Sequence, residues 1–429
     1  MSAASGSTGR AFVVGAGLAG LAAATALAAR GVQVSLFEAA GQAGGRCRSY
    51  FDPAFDGVID NGNHLVLSGN HAIHDYLARI GARGALTGPD EARVDFADIA
   101  TGERWSVRPN NGPLPWWVAV QSRRVPGTYV SEYAAYARLM FAGRKRTMSD
   151  LVRCRGPLWD RLMHPFFLAA LNTEPKLSSA RLAGALLRET FAKGGQACCP
   201  RVATPTLAAA FIDPALRMLE QRGAHVRLGE RLRTITFGER DALALEFPDA
   251  TVPLNSNDML VLAVSPWVAK DLVPDLQAPD QFCAIVNAHF KFEAPIQLLK
   301  QDGAPTILGV IGGTAEWIFC FSDRISVTVS AAEAIVDKGR EELAQSLWAD
   351  VCAALQIRAP LPVWQIVKEK RATFAATPEQ DAKRPSAATG WRNFFLAGDW
   401  VQTGLPATIE GAVRSGDRAA ALALRQLSL

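Results

Sequence analysis

The sequence is short of several things, and each shortage excludes something. It carries no large excess of charge: 45 Lys and Arg against 41 Asp and Glu leave +4 over 429 residues. That is too mild for a surface that must neutralise nucleic-acid phosphates along one face, and no stretch interleaves basic and aromatic residues as RNA-binding and single-strand-binding folds do. Cysteines are few, odd in number and scattered (Cys47, Cys154, Cys198, Cys199, Cys283, Cys320 and Cys352). They match neither a disulfide framework nor a zinc site, so a reducing, cytoplasmic setting suits the chain. His71 and His74 stand three apart without further ligands, and no metal is expected. Internal repeats and low-complexity linkers are absent. Residues 11–29 are uncharged and long enough to suggest a signal peptide or membrane span, but three glycines interrupt the run in a phosphate-loop pattern after a β-branched stretch. A buried strand, a turn and a buried helix account for it better.

What is present is a chain that can bury a sizeable core, with 49% hydrophobic and 20% charged residues, and whose length predicts two or three domains. Residues 12–14 read as a strand, 18–29 as an alanine-rich helix and 32–37 as the next parallel strand, a βαβ unit. Gly15-Ala16-Gly17-Leu18-Ala19-Gly20 sits at its turn. The first glycine permits the tight turn, the second admits a pyrophosphate to the backbone, and the third lets helix and strand pack closely. Glu38 ends the second strand 18 residues after Gly20, where a carboxylate accepts hydrogen bonds from an adenosine ribose. A lone GxGxxG says little; strand, turn, helix, strand and acid in order say a great deal. Gly44-Gly45-Arg46 follows, with an arginine able to neutralise pyrophosphate. Far downstream, Phe394-Phe395-Leu396-Ala397-Gly398-Asp399 is a strand running into a glycine and an acid suited to ribityl hydroxyls. A helix starting near Thr408 would aim its positive end at the flavin edge. No second GxGxxG has the right context, because Gly309, Gly312 and Gly313 lie between strand-like segments.

With these motifs the chain resembles the flavin-containing amine oxidase superfamily over essentially its whole length, in particular the phytoene desaturase and squalene-associated branch. Asp60-Asn61-Gly62-Asn63-His64-Leu65, Ala169-Ala170-Leu171-Asn172-Thr173 and the run TGLPATIEGAVRSG at 403–416 look most like the hydroxysqualene dehydroxylase family of bacterial hopanoid synthesis. Asn63 stands where that family's pattern has glutamine. The resemblance implies an α/β fold: an FAD-binding Rossmann-type (GR2) domain with an interleaved α+β substrate domain and a helical, membrane-facing segment. The expected division is FAD-binding 1–110, helical 111–200, FAD-binding 201–275, substrate-domain sheet and helices 276–388, FAD-binding 389–429. A helix is expected over 334–355 and strands over 93–107, broken at Thr101-Gly102. The resemblance implies FAD as cofactor, contacted at Gly15, Gly17, Gly20, Glu38, Gly45, Arg46, Val226, Asp399 and Glu410. It also implies reductive removal of a hydroxyl from hydroxysqualene to give squalene, downstream of a squalene-synthase-like enzyme. Assisted loss of water needs an acid, and His64, in the loop expected near the flavin, is either that acid or an anchor of the loop. Two alternatives stand beside this reading: a carotenoid desaturase, running the hydride the other way, and a prenyl-binding escort module without flavin.

Between residues 121 and 162 nine basic side chains face three acidic ones, a local +6 that exceeds the charge of the whole chain. Trp116, Trp117, Tyr129, Tyr133, Tyr136, Met140 and Phe141 accompany it. The pattern fits peripheral contact with anionic lipid on the inner face of the cytoplasmic membrane, through which a long isoprenoid would enter. It equally fits a solvated basic face with its aromatics turned to the core.

Overall fold

Alternation in the first strand decides how the molecule is layered. In Arg10–Val14, Ala11 and Val13 face one core while Phe12 and Val14 face another, and all four are buried. A strand buried on both faces belongs to a parallel sheet covered on both sides. In the computed structural model, which describes residues 9–294 and 305–428, this strand is the centre of a five-stranded sheet. Its order is His225–Leu228, Gln33–Glu38, Arg10–Val14, Met259–Leu262, Phe394–Leu396, and every pairing is parallel. Three chain segments far apart in sequence thus build one dinucleotide-binding sheet. Helices Leu18–Ala29, Asp213–Gln221 and Ile409–Gln426 cover one face. Leu18–Ala29 is buried almost all round, which is why its sequence shows no polar stripe and mimics a membrane span. Among the described residues no helix is long and apolar enough to cross a membrane.

The second sheet has seven strands, ordered Trp364–Phe374, Phe282–Phe290, Ile325–Val329, Trp317–Cys320, Thr306–Ile311, Val94–Asp98, Arg104–Val107. It is antiparallel except where Thr306–Ile311 runs parallel to Val94–Asp98. This moves the expected boundary at 110: Val94–Asp98 and Arg104–Val107 are strands as expected but extend the second sheet, not the first. Parts of three expected segments (1–8, 295–304 and 429) lie outside the described residues. Helix Arg340–Leu355 covers one face, with Trp348 against Phe290 at 4.9 Å. It starts later than the expected 334, because Ala332–Ala334 is a separate turn and Gly339 stands at the N-cap. The segment 111–200, expected to be helical, is a chain of short 3₁₀ turns between the α-helices Val130–Ala135, His164–Leu171 and Ala180–Glu189. Its aromatics join Phe12, Val14 and Phe37 in the core on the other face of the first sheet.

Asn172 fastens this segment to the second sheet. It ends helix His164–Leu171 in the left-handed region, at φ 47°, where asparagine is better tolerated than other non-glycine residues. Its buried amide donates to the Cys283 carbonyl at 3.3 Å and the Thr373 hydroxyl at 2.9 Å, and accepts from Ala331 N–H at 2.7 Å. Neighbouring Thr173 accepts from Ala376 N–H at 2.8 Å. Asn172→Ala leaves these partners unsatisfied and strains the backbone, so a stability loss of about 3 kcal/mol or more is expected in urea unfolding. Asn172→Gly, which removes the strain but not the lost bonds, should fall between. A loss below about 1 kcal/mol for the alanine variant would show that the segment is held elsewhere.

Candidate functional site

The glycines of the first turn divide by what crowds them. At Gly15, φ is +103° and an added Cβ would lie 2.4 Å from the Ala263 carbonyl oxygen; at Gly20 it would lie 1.8 Å from that of Gly15. Packing of the protein itself demands both glycines. At Gly17 an added Cβ meets nothing within 4 Å. The space lies before the N-terminus of Leu18–Ala29, whose first N–H groups have no partner within the helix, and a pyrophosphate fits it. Gly44 N–H donates to the Ala16 carbonyl at 2.8 Å, and a Cβ added at Gly45 would lie 3.5 Å from the Gly17 Cα, so the second glycine pair borders the same turn.

Glu38 accepts from Ala16 N–H at 2.8 Å and Ala40 N–H at 2.9 Å. A carboxylate has about four acceptor positions, which leaves room for ribose hydroxyls. Val226 lies in the strand next to that of Glu38, in register with Leu36, so its backbone borders the same edge. Asp399 follows the strand Phe394–Leu396, buried, in a 2.7 Å ion pair with Arg46. The Arg46 guanidinium also donates to the Ala372 carbonyl of the second sheet. Asp399 and this carbonyl hold one side of the guanidinium, and 43% of the Arg46 side chain remains exposed. Glu410 opens the helix Ile409–Gln426. Its carboxylate accepts from Ala72 N–H at 3.1 Å and Ile73 N–H at 3.0 Å, capping helix His71–Arg79, and pairs with Arg414 at 2.7 Å. Only its backbone, in the first turn of Ile409–Gln426, is left to face a cofactor; Thr408 caps that turn by accepting from Gly411 N–H at 3.0 Å.

The family described as flavin containing amine oxidoreductase matches residues 18–424. The chain belongs to that family. Its curated relatives include hydroxysqualene dehydroxylases from Zymomonas mobilis subsp. mobilis, 48% identical over 96% of this chain and 98% of the relative, and from Rhodopseudomonas palustris, 49% identical over 96% and 97%. A 15-cis-phytoene desaturase from Narcissus pseudonarcissus is more distant, at 24% over 94% and 77%. Among solved structures, cyclohexylamine oxidase from Brevibacterium oxydans IH-35A superposes with TM-score 0.72 at 16% identity, covering 98% of this chain and 100% of that one. A putrescine oxidase variant redesigned for cofactor binding gives 0.70 at 19%, covering 97% and 99%. At such identities the likeness is one of fold. As a member of this family the chain is an FAD-dependent flavoprotein, and the open space at Gly17, with Glu38 at its rim, fits the dinucleotide.

The loop from Asp60 to His64 joins this site to the second sheet. Asp60 accepts from Ser49 Oγ at 2.5 Å and Leu207 N–H at 3.0 Å. Asn63 donates to Thr328 Oγ1 at 3.0 Å, and Thr328 in turn donates to Asn287 Oδ1 at 2.8 Å. At Gly62 an added Cβ would press on the Asn287 amide at 2.9 Å. His64 is half-buried beside Val202, Leu207, Phe319 and Phe321. Burial first, and then the Arg46 cation, push its pKa down to about 4. The ring is therefore neutral near pH 7, which suits the second of the two expected roles, an anchor of the loop. Sequence reasoning missed His289, which is fully buried, with Nε2 donating to the Asp60 carbonyl at 3.0 Å and Nδ1 accepting from Ser326 at 2.9 Å. Its alternation with Val286, Ala288 and Phe290 was the only available signal. It also missed Arg384, a buried guanidinium that donates to the carbonyls of Leu405 and Val401 at 2.7 Å and of Asp399 at 3.2 Å.

Two expectations follow. Gly17→Val should leave the melting temperature of the flavin-free protein close to that of wild type while weakening FAD binding by roughly tenfold or more, about 1.4 kcal/mol. Gly20→Ala should destabilise the flavin-free protein itself by about 1–3 kcal/mol. The reverse assignment would refute the division of glycines. For His289, burial and then Arg324 lower the pKa from 6.5 to about 4. The unfolded chain thus binds this proton more readily, so the stabilising contribution is whole above pH 6.5 and is lost as pH falls through 4. Denaturation across that range should show a shallower acid dependence in His289→Gln, and an unchanged slope would transfer the effect to another group.

Proposed function

We propose that this chain catalyses the reductive dehydroxylation of hydroxysqualene to squalene. The observation that carries the reading is the gap in similarity: 48% to 49% identity to hydroxysqualene dehydroxylases over nearly the whole chain, against 24% to a phytoene desaturase. In its reduced form, bound FAD supplies the hydride. The balance is a C–O bond broken, a C–H bond formed, and a proton consumed as the hydroxyl leaves as water.

The protein's share is to bind the hydrocarbon, hold the cofactor and keep solvent away while charge develops on carbon. Val202, Leu207, Phe319 and Phe321 give the loop at Asn63 and His64 an apolar neighbourhood. Neutral His64 suits such a site better than an imidazolium, which would be poorly solvated there and would repel the Arg46 cation. In this reading His64 orients the flavin-facing loop. A flavin-free escort role leaves the open space at Gly17 without a purpose. The enzyme would act after a squalene-synthase-like activity, on the inner face of the cytoplasmic membrane, where a substrate this apolar resides.

The test is incubation of FAD-loaded protein with a chemical reductant and hydroxysqualene in detergent, followed by mass analysis of the hydrocarbons. Squalene formed only with reduced flavin is the expected result. Unchanged hydroxysqualene, with phytoene desaturated under oxidising conditions, would replace this reading with that of a carotenoid desaturase.

A further inference from the structure

The turns and short helices between residues 113 and 155 present a surface that the flavin site does not use. Their apolar side chains separate into two sets. Trp117, Tyr133 and Tyr136 are buried, Trp117 meeting Tyr133 edge to face at 5.3 Å and Tyr136 stacking on Phe167. Leu114, Trp116, Val120, Tyr129, Val130 and Phe141 point outward; they are six of the thirteen large hydrophobics exposed among the described residues, within a stretch of 28 positions. Single exposed apolar residues are ordinary, but such a concentration marks an interaction surface. The contact between Trp117 and Tyr133 joins the turn Trp116–Ala119 to the helix Val130–Ala135, which runs directly into the turn Tyr136–Phe141, so the exposed residues sit on adjoining elements.

The charge beside it is uncompensated. Arg138, Arg144, Lys145, Arg146, Arg153 and Arg155 are exposed, and among the described residues no carboxylate lies within ion-pair distance of them. Of the three acids between residues 121 and 162, Glu132 accepts from Tyr129 N–H at 2.6 Å and Asp150 from Thr147 N–H at 2.9 Å, and Asp160 is exposed without an ion-pair partner among the described residues. Phe141, 85% exposed, stands three residues before the triplet Arg144, Lys145 and Arg146. Arg123 lies over the ring of half-exposed Trp116 at 5.0 Å. Apolar anchors and cations therefore alternate on one surface.

We propose that this surface docks on an anionic lipid bilayer, with Trp116 and Phe141 entering the boundary between headgroups and acyl chains and Arg144, Lys145 and Arg146 meeting lipid phosphates. A second copy of the chain is a poor occupant, because it would set one cationic patch against another. The inference deepens the proposed function, since a substrate made of hydrocarbon is dissolved in the same bilayer, but it does not depend on which hydrocarbon that is.

The experiment is co-sedimentation of the full-length, FAD-loaded protein with vesicles of phosphatidylglycerol and phosphatidylethanolamine, and with vesicles of phosphatidylcholine alone, at low and high salt. Binding is expected to the anionic vesicles, to fall with salt, and to weaken by about a hundredfold in the triple variant Arg144→Gln, Lys145→Gln, Arg146→Gln. Trp116→Ser with Phe141→Ser should weaken it by about tenfold or more. Flavin absorbance and melting temperature, unchanged in each variant, show that the fold is intact. No binding, binding that ignores both sets of substitutions, or a dimer in ultracentrifugation that Phe141→Ser dissolves would each overturn the proposal. No substrate enters this assay, so its failure leaves the reaction standing, and a failed reaction in detergent leaves the docking surface standing.

Discussion

A buried cation holds the two halves of the site together. The guanidinium of Arg384, with no exposed side-chain surface, replaces its lost hydration with the carbonyls of Asp399, Trp400, Val401 and Leu405, the carboxylate of Asp381 at 3.2 Å and the face of Phe374. Breaking such a pair costs about 3–5 kcal/mol because the remaining charge has no solvent. The carbonyls it gathers belong to the loop that carries the chain from the last parallel strand into the helix Ile409–Gln426. That loop begins at Asp399, Asp399 pairs with Arg46, and Arg46 reaches the Ala372 carbonyl in the second sheet. One connected set of charges and carbonyls therefore fixes the loop after the last parallel strand, the second glycine turn and the edge of the second sheet relative to one another. Arg181, paired with Asp381 at 2.5 Å, brings the helical segment into the same set.

Against this frame the glycines carry distinct meanings. Gly15 and Gly20 are answers to crowding within the protein, as is Gly416, whose added Cβ would stand 2.1 Å from the Ala19 carbonyl where the first and last helices cross. Gly17 answers to nothing in the protein. Other glycines are equally open, but only Gly17 is open at the N-cap of the buried helix Leu18–Ala29 with Gly44 beside it, and that placement is the physical argument for the dinucleotide. The closeness of the crossing at Gly416 also brings the positive ends of both helices to the same side of the sheet.

How far the sequence reveals this follows the range of the interactions. The βαβ unit at 10–38 was legible almost to the residue, since strand, turn and helix there are set by local periodicity and by glycines. So was the strand Phe394–Leu396. The strands Val94–Asp98 and Arg104–Val107 were legible as strands but not as members of the second sheet, because their partner, Leu308 opposite Asp95, is more than two hundred residues away and no local pattern encodes the pairing. Ile335 was counted into the helix because its spacing fits, although Gly339 intervenes at the cap. Arg384 lies in a polar stretch, Lys383-Arg384-Pro385-Ser386, that reads as solvated loop; only the fold turns it inward. The carboxylate of Glu410 also caps helix His71–Arg79, a contact invisible in one dimension.

The same limit explains why the polar residues around the flavin-facing loop were undervalued. In the strand Phe282–Phe290, Val286, Ala288 and Phe290 pack toward helix Arg340–Leu355, which turns Asn287 and His289 toward Asp60, Gly62 and Asn63. A wall of amides, an imidazole and hydroxyls seems ill suited to a hydrocarbon, but its groups bond to one another: Asn63 to Thr328, Thr328 to Asn287, His289 to Ser326 and to the Asp60 carbonyl. Polar atoms bonded to one another hold the loop and the strand in one geometry, and each satisfied pair calls for water less than a lone polar group does. Depressed basicity at His64 and His289 extends the effect, because an uncharged ring binds less water than a cation. The arrangement thus supplies rigidity beside the cofactor without the hydration that rigid polar groups usually bring, and dryness is what a carbon centre losing hydroxide requires.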